Sequence, residues 1–330
     1  MTDYSIPNTH YSHLTKFLVT DLVPKGCIED LEQMGFQVDH IEDLSNAELK
    51  RIIAEYTGIV VRTSLTLDKE MLDKAINLKY ILRPGSGLDN INVEYADLKG
   101  IKIFNSPEAN SDAVAEHAVG LLFGLLNNIP RANEQTREGK WIRQPNTGFL
   151  LKGKTVGIIG YGHTGSAFVH RLSGFEVQIL VYDKYKKGFG SNYIIESNLE
   201  QIFDEAEVVS LHIPLTKETE YIINESFIDK MKKQFYLLNT SRGKNVDIKS
   251  VIKGLQSGKI LGAGLDVLEN ENISTFTAEE NHQLEELFKS GNVILTPHIA
   301  GWTHESRDNI FYFALNKFKK YLDEQKLLAK

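Results

Sequence analysis

The sequence predicts an α/β protein built as two doubly wound parallel-sheet domains, one inserted into the other. Three observations carry that expectation. Apolar runs of strand length alternate with stretches of helical spacing along most of the chain, the βαβ pattern of parallel sheets covered on both faces. One Gly-x-Gly-x-x-Gly, at Gly160, Gly162 and Gly165, joins such a strand to such a helix. A chain of 330 residues also exceeds what one small core accommodates.

In chain order, residues 16–20 read as the first strand, 28–34 as a helix and 36–40 as a second short strand. Ser45 is placed to cap a helix over 46–55. Strands at 58–62 and 80–82 flank a helix over 67–75, and 101–104 closes the series. No glycine motif interrupts this half. It reads as a flavodoxin-like doubly wound domain with another purpose, the binding of substrate.

Asn110, Ser111 and Asp112 are placed to cap a long helix over 113–127, with Pro130 just beyond its end. The helix is apolar almost all round, which predicts burial between domains or subunits. Residues 137–151 have no period and are long for a loop, so an arm across a partner subunit suits them. Strands follow at 156–159, 177–182, 208–213, 235–239, 262–267 and 293–296. A last helix over 303–324 carries Ile310, Phe311, Phe313, Ala314 and Phe318 near helical spacing. Chain ends of inserted-domain proteins lie close together, so this helix is expected back on the first domain. The expected division is 1–107 with 301–330 around an insert of 108–300.

The glycine turn has a task for each glycine. Gly160 permits the tight turn off the strand, Gly162 lets the backbone approach a pyrophosphate, and Gly165 lets the helix pack on the sheet. The helix N-terminus presents N–H groups and a positive dipole end to phosphates. The next strand ends in Asp183, about 20 residues on, where a carboxylate accepts from ribose hydroxyls. That carboxylate repels a 2′-phosphate, so the insert reads as a Rossmann domain for NAD rather than NADP. Lys184, Lys186 and Lys187 behind it read as a solvated basic turn.

The composition sets limits. With 42% apolar and 25% charged residues the chain is that of a soluble globular protein. A formal charge of -7 with interleaved lysines argues against a nucleic-acid surface. Cys27 is the only cysteine, which excludes an intramolecular disulfide and a cysteine-based metal site and fits a reducing cytoplasm. The first thirteen residues lack the regions of a signal peptide, and the apolar run 118–126 is far short of the ~20 residues that span a bilayer. No metal site is expected.

Ligands of open α/β sheets bind beyond the carboxyl ends of the strands. Arg242, Asp266 with Glu271, and His298 stand at or just past such ends. Together they suit hydride transfer. A histidine of ordinary pKa ~6.5 can hold or release the hydroxyl proton near neutrality. A neighbouring glutamate raises that pKa and fixes the ring, and an arginine grips a 2-oxo-carboxylate in two bonds. His117 reads as a structural, hydrogen-bonded histidine. His212, beside Pro214, reads as a wall of the cofactor site, and His304 as a reserve base. There is no His-Glu-x-x-His, since Asp308 stands where the second histidine would be needed after His304-Glu305. No Gly-x-Ser-x-Gly elbow and no Walker-type loop occur either.

These residues carry a resemblance. Val61-Arg62, the run from Pro84 through Gly85, Ser86, Gly87, Leu88, Asp89 and Asn90 to Ile91, and Asn110 with Ala115-Glu116-His117 form one group. The turn from Gly153 to His163, Ser210-Leu211-His212-Ile213-Pro214-Leu215-Thr216, Asn239-Thr240-Ser241-Arg242-Gly243, Gly264-Leu265-Asp266-Val267 and Thr296-Pro297-His298-Ile299-Ala300-Gly301 form another. Together they resemble the D-isomer-specific 2-hydroxyacid dehydrogenases, and within them the D-3-phosphoglycerate dehydrogenase branch.

The resemblance implies that Arg242 orients substrate, Glu271 tunes a pKa and His298 is the general acid/base. It implies that backbone N–H groups of Ser86 and Gly87 hold the substrate carboxylate and that Arg62 meets a substrate phosphate. NAD contacts are implied for Gly160, Gly162, His163, Thr164, Gly165, Asp183, His212, Ile213, Pro214, Thr240, Ser241, Asp266 and Ala300. A homodimer through the NAD-binding domain is implied as well. Thr164 replaces a branched aliphatic, Pro84 a small residue, and Asn272 the proline that usually follows the glutamate, which makes Glu269 the second candidate for that role. The chain ends after the returning helix, without the regulatory domain of long phosphoglycerate dehydrogenases, so serine feedback by that route is not expected. The expected substrate is 3-phospho-D-glycerate. The alternatives are a glyoxylate or hydroxypyruvate reductase and, in another class, an NAD(H)-sensing corepressor-like protein without turnover.

Overall fold

Side chains alternate across a strand, and the first strand already separates two cores: Phe17 and Val19 enter one hydrophobic cluster and Leu18 another. The structure is a computed structural model that describes residues 15–290 and 292–328. The stretch read for a targeting signal lies outside the described residues. The chain divides into two compact units, 1–109 with 304–330 and 110–303.

Unit 1 runs β1 Lys16–Val19, α1 Lys25–Gln33, β2 Gln37–His40, α2 Asn46–Ile52, β3 Gly58–Val60, α3 Lys69–Lys74, β4 Tyr80–Arg83, α4 Val93–Leu98 and β5 Lys102–Asn105. Its strands form one parallel sheet in the order β2-β1-β3-β4-β5, the flavodoxin-like order. Ser45 caps α2 as expected, in a full capping box with Glu48. The short α4 was not foreseen: at six residues it carries too little periodicity to read.

Unit 2 runs α5 Ser111–Leu126, α6 Ile129–Arg137, β6 Thr155–Ile159, α7 His163–Leu172, β7 Gln178–Tyr182, β8 Ile194–Glu196, α8 Leu199–Glu205 and β9 Val208–Leu211. It continues with α9 Glu225–Lys230, β10 Phe235–Asn239, α10 Ile248–Gln256, β11 Ile260–Leu265, α11 Ala278–Lys289 and β12 Val293–Leu295. The parallel sheet has the order β12-β11-β10-β9-β6-β7-β8. Its direction of growth reverses between β6 and β9, which places a ligand crevice beyond those two strand ends.

Three sequence readings are corrected here. Pro130 does not merely follow α5; it sits in the first turn of α6, where its missing N–H costs nothing. The apolar α5 is buried by its own unit, with Ala115, Ala118, Leu122 and Leu125 in the cluster formed with Val156, Ile158 and Phe168. Asn110 stands at the N-cap of α5 without a side-chain capping bond, its amide lying where a Cβ on Gly301 would be.

The last helix, α12 His304–Leu328, belongs to unit 1. Phe318 is fully buried, its ring centroid 5.7 Å from Phe17, 4.9 Å from Tyr80 and 5.3 Å from Phe104. Among the described residues no helix is long and apolar enough to cross a membrane, and no cluster of His, Cys, Asp or Glu is arranged to hold a metal.

Candidate active site

The glycine turn sits at the strand-order reversal of unit 2. Gly160 has φ +99°, and a Cβ there would lie 2.3 Å from the carbonyl oxygen of His212. A Cβ on Gly165 would lie 2.1 Å from Gly160 O, so α7 approaches the turn at backbone contact. Gly162 instead opens on space, with nothing within 4 Å of its absent Cβ. It is the N-cap of α7 and supplies no side-chain cap, so the first turn, starting at His163 and Thr164, presents its N–H groups there.

Asp183 follows β7 and faces the same turn. Its Oδ2 accepts from Tyr161 N at 2.7 Å and its Oδ1 from Tyr185 N and Lys186 N, both at 2.8 Å. Burial works to raise its pKa, but the N–H groups of Lys186, Tyr161 and Tyr185 outweigh that and hold the carboxyl below its ordinary range. The lysines behind it are engaged: Lys184 pairs with Glu218, Lys186 Nζ donates to Tyr161 O at 2.8 Å, and Lys187 Nζ to Asp183 O at 3.3 Å.

His212 is buried past the end of β9, its Nε2 2.9 Å from Ser210 Oγ and its ring 5.1 Å from Phe168. Burial pulls its pKa down to about 3, so the imidazole is neutral near pH 7. Ser241 Oγ ties the ends of β9 and β10, donating to Leu211 O at 2.6 Å and accepting from Ile213 N at 3.2 Å. Pro214 O accepts from Thr219 Oγ1 at 2.7 Å. Thr240 Oγ1 is buried without a hydrogen-bond partner among the described residues. An open Gly162, an uncapped helix end, a paired acid at Asp183 and an orphaned hydroxyl at Thr240 fit a dinucleotide.

A histidine–carboxylate pair lies in the same unit. His298 Nδ1 is 2.8 Å from Glu271 Oε2, which leaves Nε2 as the nitrogen that can act on a substrate. The bond to Glu271 raises the histidine's pKa; burial and the charge of Arg242 oppose it, and Asp266 adds to it. His298 has φ +55°, an uncommon conformation for a non-glycine residue. Asp266 holds it there. The Asp266 carbonyl accepts from His298 N at 2.7 Å, while its carboxylate, only 1% exposed, accepts from Thr296 Oγ1 at 2.6 Å, Ile299 N at 2.9 Å and Ala300 N at 2.8 Å. His117 Nε2 meets Thr296 Oγ1 at 3.0 Å and is thus the hydrogen-bonded structural residue expected.

The two glutamates have different partners. Glu271 meets His298, whereas Glu269 accepts from Tyr221 Oη at 2.8 Å and from Ile248 N at 3.2 Å. His304 opens α12 in unit 1. Arg242 precedes the 3₁₀ turn Gly243–Asn245, its Nη1 donating to Ser241 O at 2.7 Å.

The substrate candidates lie in unit 1, where the sheet order reverses between β1 and β3. Arg62, past β3, donates its N–H to Asp21 Oδ2 past β1 at 3.1 Å, and its guanidinium lies 5.9 Å over the ring of Phe311. Asn90 Nδ2 donates to Arg62 O and to Leu65 O, at 2.5 and 2.7 Å. It thereby ties the Arg62 loop to the loop of Ser86 and Gly87. Gly85 has φ +137°, a backbone conformation in which any residue with a Cβ is strained. Asn90 entered the sequence reading only as part of the run 84–91, and Asp21 and Arg83 had no role in it; their one signal was a place just after a strand.

Comparison with known proteins follows the same lines. Residues 119–300 match the family model of the D-isomer specific 2-hydroxyacid dehydrogenase NAD binding domain. A glyoxylate reductase of Pyrococcus furiosus is 36% identical over 308 residues, covering 89% of this chain and 88% of its own. A D-3-phosphoglycerate dehydrogenase of Methanocaldococcus jannaschii is 35% identical over 312 residues, covering 94% of this chain and 58% of its own. Among solved structures, a D-lactate dehydrogenase from Aquifex aeolicus complexed with NAD and lactic acid superposes with a TM-score of 0.81 at 28% identity, covering 94% of this chain and 96% of that one.

Proposed function

The chain belongs to the D-isomer specific 2-hydroxyacid dehydrogenases, NAD-dependent enzymes, and from that premise we propose that it interconverts 3-phospho-D-glycerate and 3-phosphohydroxypyruvate. The observation that carries the substrate is Arg62, a cation at the strand-order reversal of unit 1 and tied by Asn90 to the loop of Ser86 and Gly87. In this reading Arg62 takes the phosphate and the N–H groups of Ser86 and Gly87 take the carboxylate. Arg242 orients the 2-oxo-carboxylate group.

The nicotinamide, when bound, accepts or supplies the hydride at C2. The rest is done by the chain. In oxidation His298 Nε2 takes the hydroxyl proton, and in reduction it returns one to the carbonyl oxygen. Glu271 fixes the imidazole through Nδ1 and stabilises its charged form. The glycine turn, His163, Thr164 and Asp183 are the proposed contacts of the adenosine and pyrophosphate. His212, Ile213, Pro214, Thr240, Ser241, Asp266 and Ala300 are those of the nicotinamide half.

A second reading has its own support. The match to the Pyrococcus glyoxylate reductase covers nearly all of both chains, whereas the Methanocaldococcus enzyme is matched over little more than half its length. The two readings separate in an assay of NADH formation with 3-phospho-D-glycerate and a panel of unphosphorylated D-2-hydroxy acids. Losing a charge-assisted phosphate bond, Arg62→Ala should lower kcat/KM for the phosphorylated acid about 10–100-fold and spare the others. Activity confined to unphosphorylated acids and indifferent to Arg62 would sink the phosphoglycerate assignment.

A homodimer through unit 2 belongs to the same proposal. Trp141, Phe149 and Leu150 of the aperiodic arm are 77%, 57% and 80% exposed, apolar surface that a second copy would cover. Light scattering should return the mass of two chains; a single-chain mass at micromolar concentration would contradict it.

A further inference from the structure

The family reading uses Glu271 and leaves unexplained the carboxylate two residues before it. Glu269 binds at two places that belong to the Arg242 side of the site. Its Oε1 accepts from Ile248 N, the first N–H of α10, at 3.2 Å, and its Oε2 accepts from Tyr221 Oη at 2.8 Å. Those two partners are the ends of one fastened loop. Tyr221 N donates to Lys244 O at 2.7 Å, Ile223 N to Asn245 O at 3.1 Å and Asp247 N to Ile223 O at 2.9 Å. Asn245 N in turn donates to Arg242 O at 3.1 Å, as does Asn239 Nδ2 at 2.8 Å. Backbone contact closes the arrangement: a Cβ on Gly243 would fall 1.8 Å from Leu268 O and 2.5 Å from Glu269 N.

We propose that Glu269 is a positioning residue that keeps the Arg242 loop and the Glu271–His298 pair in one register. The inference rests on the assignment of those three residues to the site. A carboxylate suits the position because it alone accepts from both an N–H and a hydroxyl while carrying charge at a helix N-terminus. The bond fixes the Tyr221 hydroxyl as a donor and pushes its pKa up to about 12. The lever arm is short. A loop that slackens at Glu269 carries Glu271 with it, and misplacement of a catalytic group by 1 Å can cost about 100-fold.

The test uses the full chain with Glu269→Ala, Glu269→Gln and, as the variant least able to disturb folding, Tyr221→Phe. One readout is the KM for the 2-oxo acid against the KM for NADH. The other is the His298 pKa by NMR without substrate, where Glu271, Arg242 and Asp266 face the imidazole and His117 bonds Thr296 beside Asp266. Glu269→Ala should raise the KM for the acid about tenfold with little change for NADH, and move the His298 pKa down toward its ordinary ~6.5. Glu269→Gln, keeping one acceptor oxygen, should fall between it and wild type. A residue that merely caps α10 would lower thermal stability and move neither readout, and unchanged values in both Glu269→Ala and Tyr221→Phe would overturn the proposal. If wild type reduces no 2-oxo acid, the family reading of the site fails, and the NMR arm still decides whether Glu269 positions Glu271 against His298.

Discussion

Replacing His298 by glutamine should lower kcat by about 10²–10⁴-fold, the range a positioned general acid/base contributes. Its Nε2 is the ring nitrogen left for substrate once Nδ1 is bonded to Glu271. The affinity for NADH, measured by fluorescence titration, should stay near wild type, because His298 is not among the proposed dinucleotide contacts, most of which lie on the glycine turn and at the β9 and β10 ends. The pH profile carries a sign. Reduction needs His298 protonated, and Glu271 raises its pKa, so the reductive rate should hold below that raised pKa and fall as pH rises through it. Glu271→Gln removes the cause of the shift. The falling limb should then move to lower pH, toward ~6.5, while oxidation gains its deprotonated base earlier. A limb that stays where it is in Glu271→Gln would remove Glu271 from this role.

Gly165→Ala should destabilise unit 2 and weaken NADH binding together. The added carbon would sit 2.1 Å from the carbonyl oxygen of Gly160, a backbone atom of a turn that is itself packed on His212. Nothing at that contact is the loose end of a side chain, so α7 must move off the strand. Overpacking of this kind costs about 1–3 kcal/mol, a fall in Tm of several degrees, and it displaces the N–H groups that face the phosphates. Gly162→Ala is the control. Its methyl meets nothing within 4 Å among the described residues, so Tm should be unchanged while NADH affinity falls, since the space it enters is the space a pyrophosphate needs. Equal behaviour of the two variants, in Tm or in affinity, would contradict the distinct tasks assigned to these glycines.

What was legible in the sequence was local. The strand–turn–helix at Gly160 and the steric tasks of Gly160 and Gly165 read correctly because strand, turn and helix fall within one short stretch. The α6 helix was lost because Pro130 ends one helix and opens the next, and a proline reads the same way in both roles. The strand β8 was lost because three residues at a sheet edge, two of them exposed, carry no alternation to detect. The grip of Asp266 on Thr296, Ile299 and Ala300 spans 30 to 34 positions and depends on β11 lying beside β12. Only the resemblance ranked Glu271 above Glu269. Both are acids on one loop, and only the fold turns one toward His298 and the other toward Tyr221 and α10.

The most direct test of the central claim is isotopic. Wild-type protein would be given NADH carrying two deuterons at C4 of the nicotinamide, with 3-phosphohydroxypyruvate or glyoxylate, and the product acid analysed by mass spectrometry. The account predicts one deuteron on C2 of the hydroxy acid, D configuration where C2 is a stereocentre, and loss of that label with His298→Gln. Binding of NADH without deuterium appearing in any 2-hydroxy acid would contradict it and leave a protein that holds the dinucleotide without the chemistry.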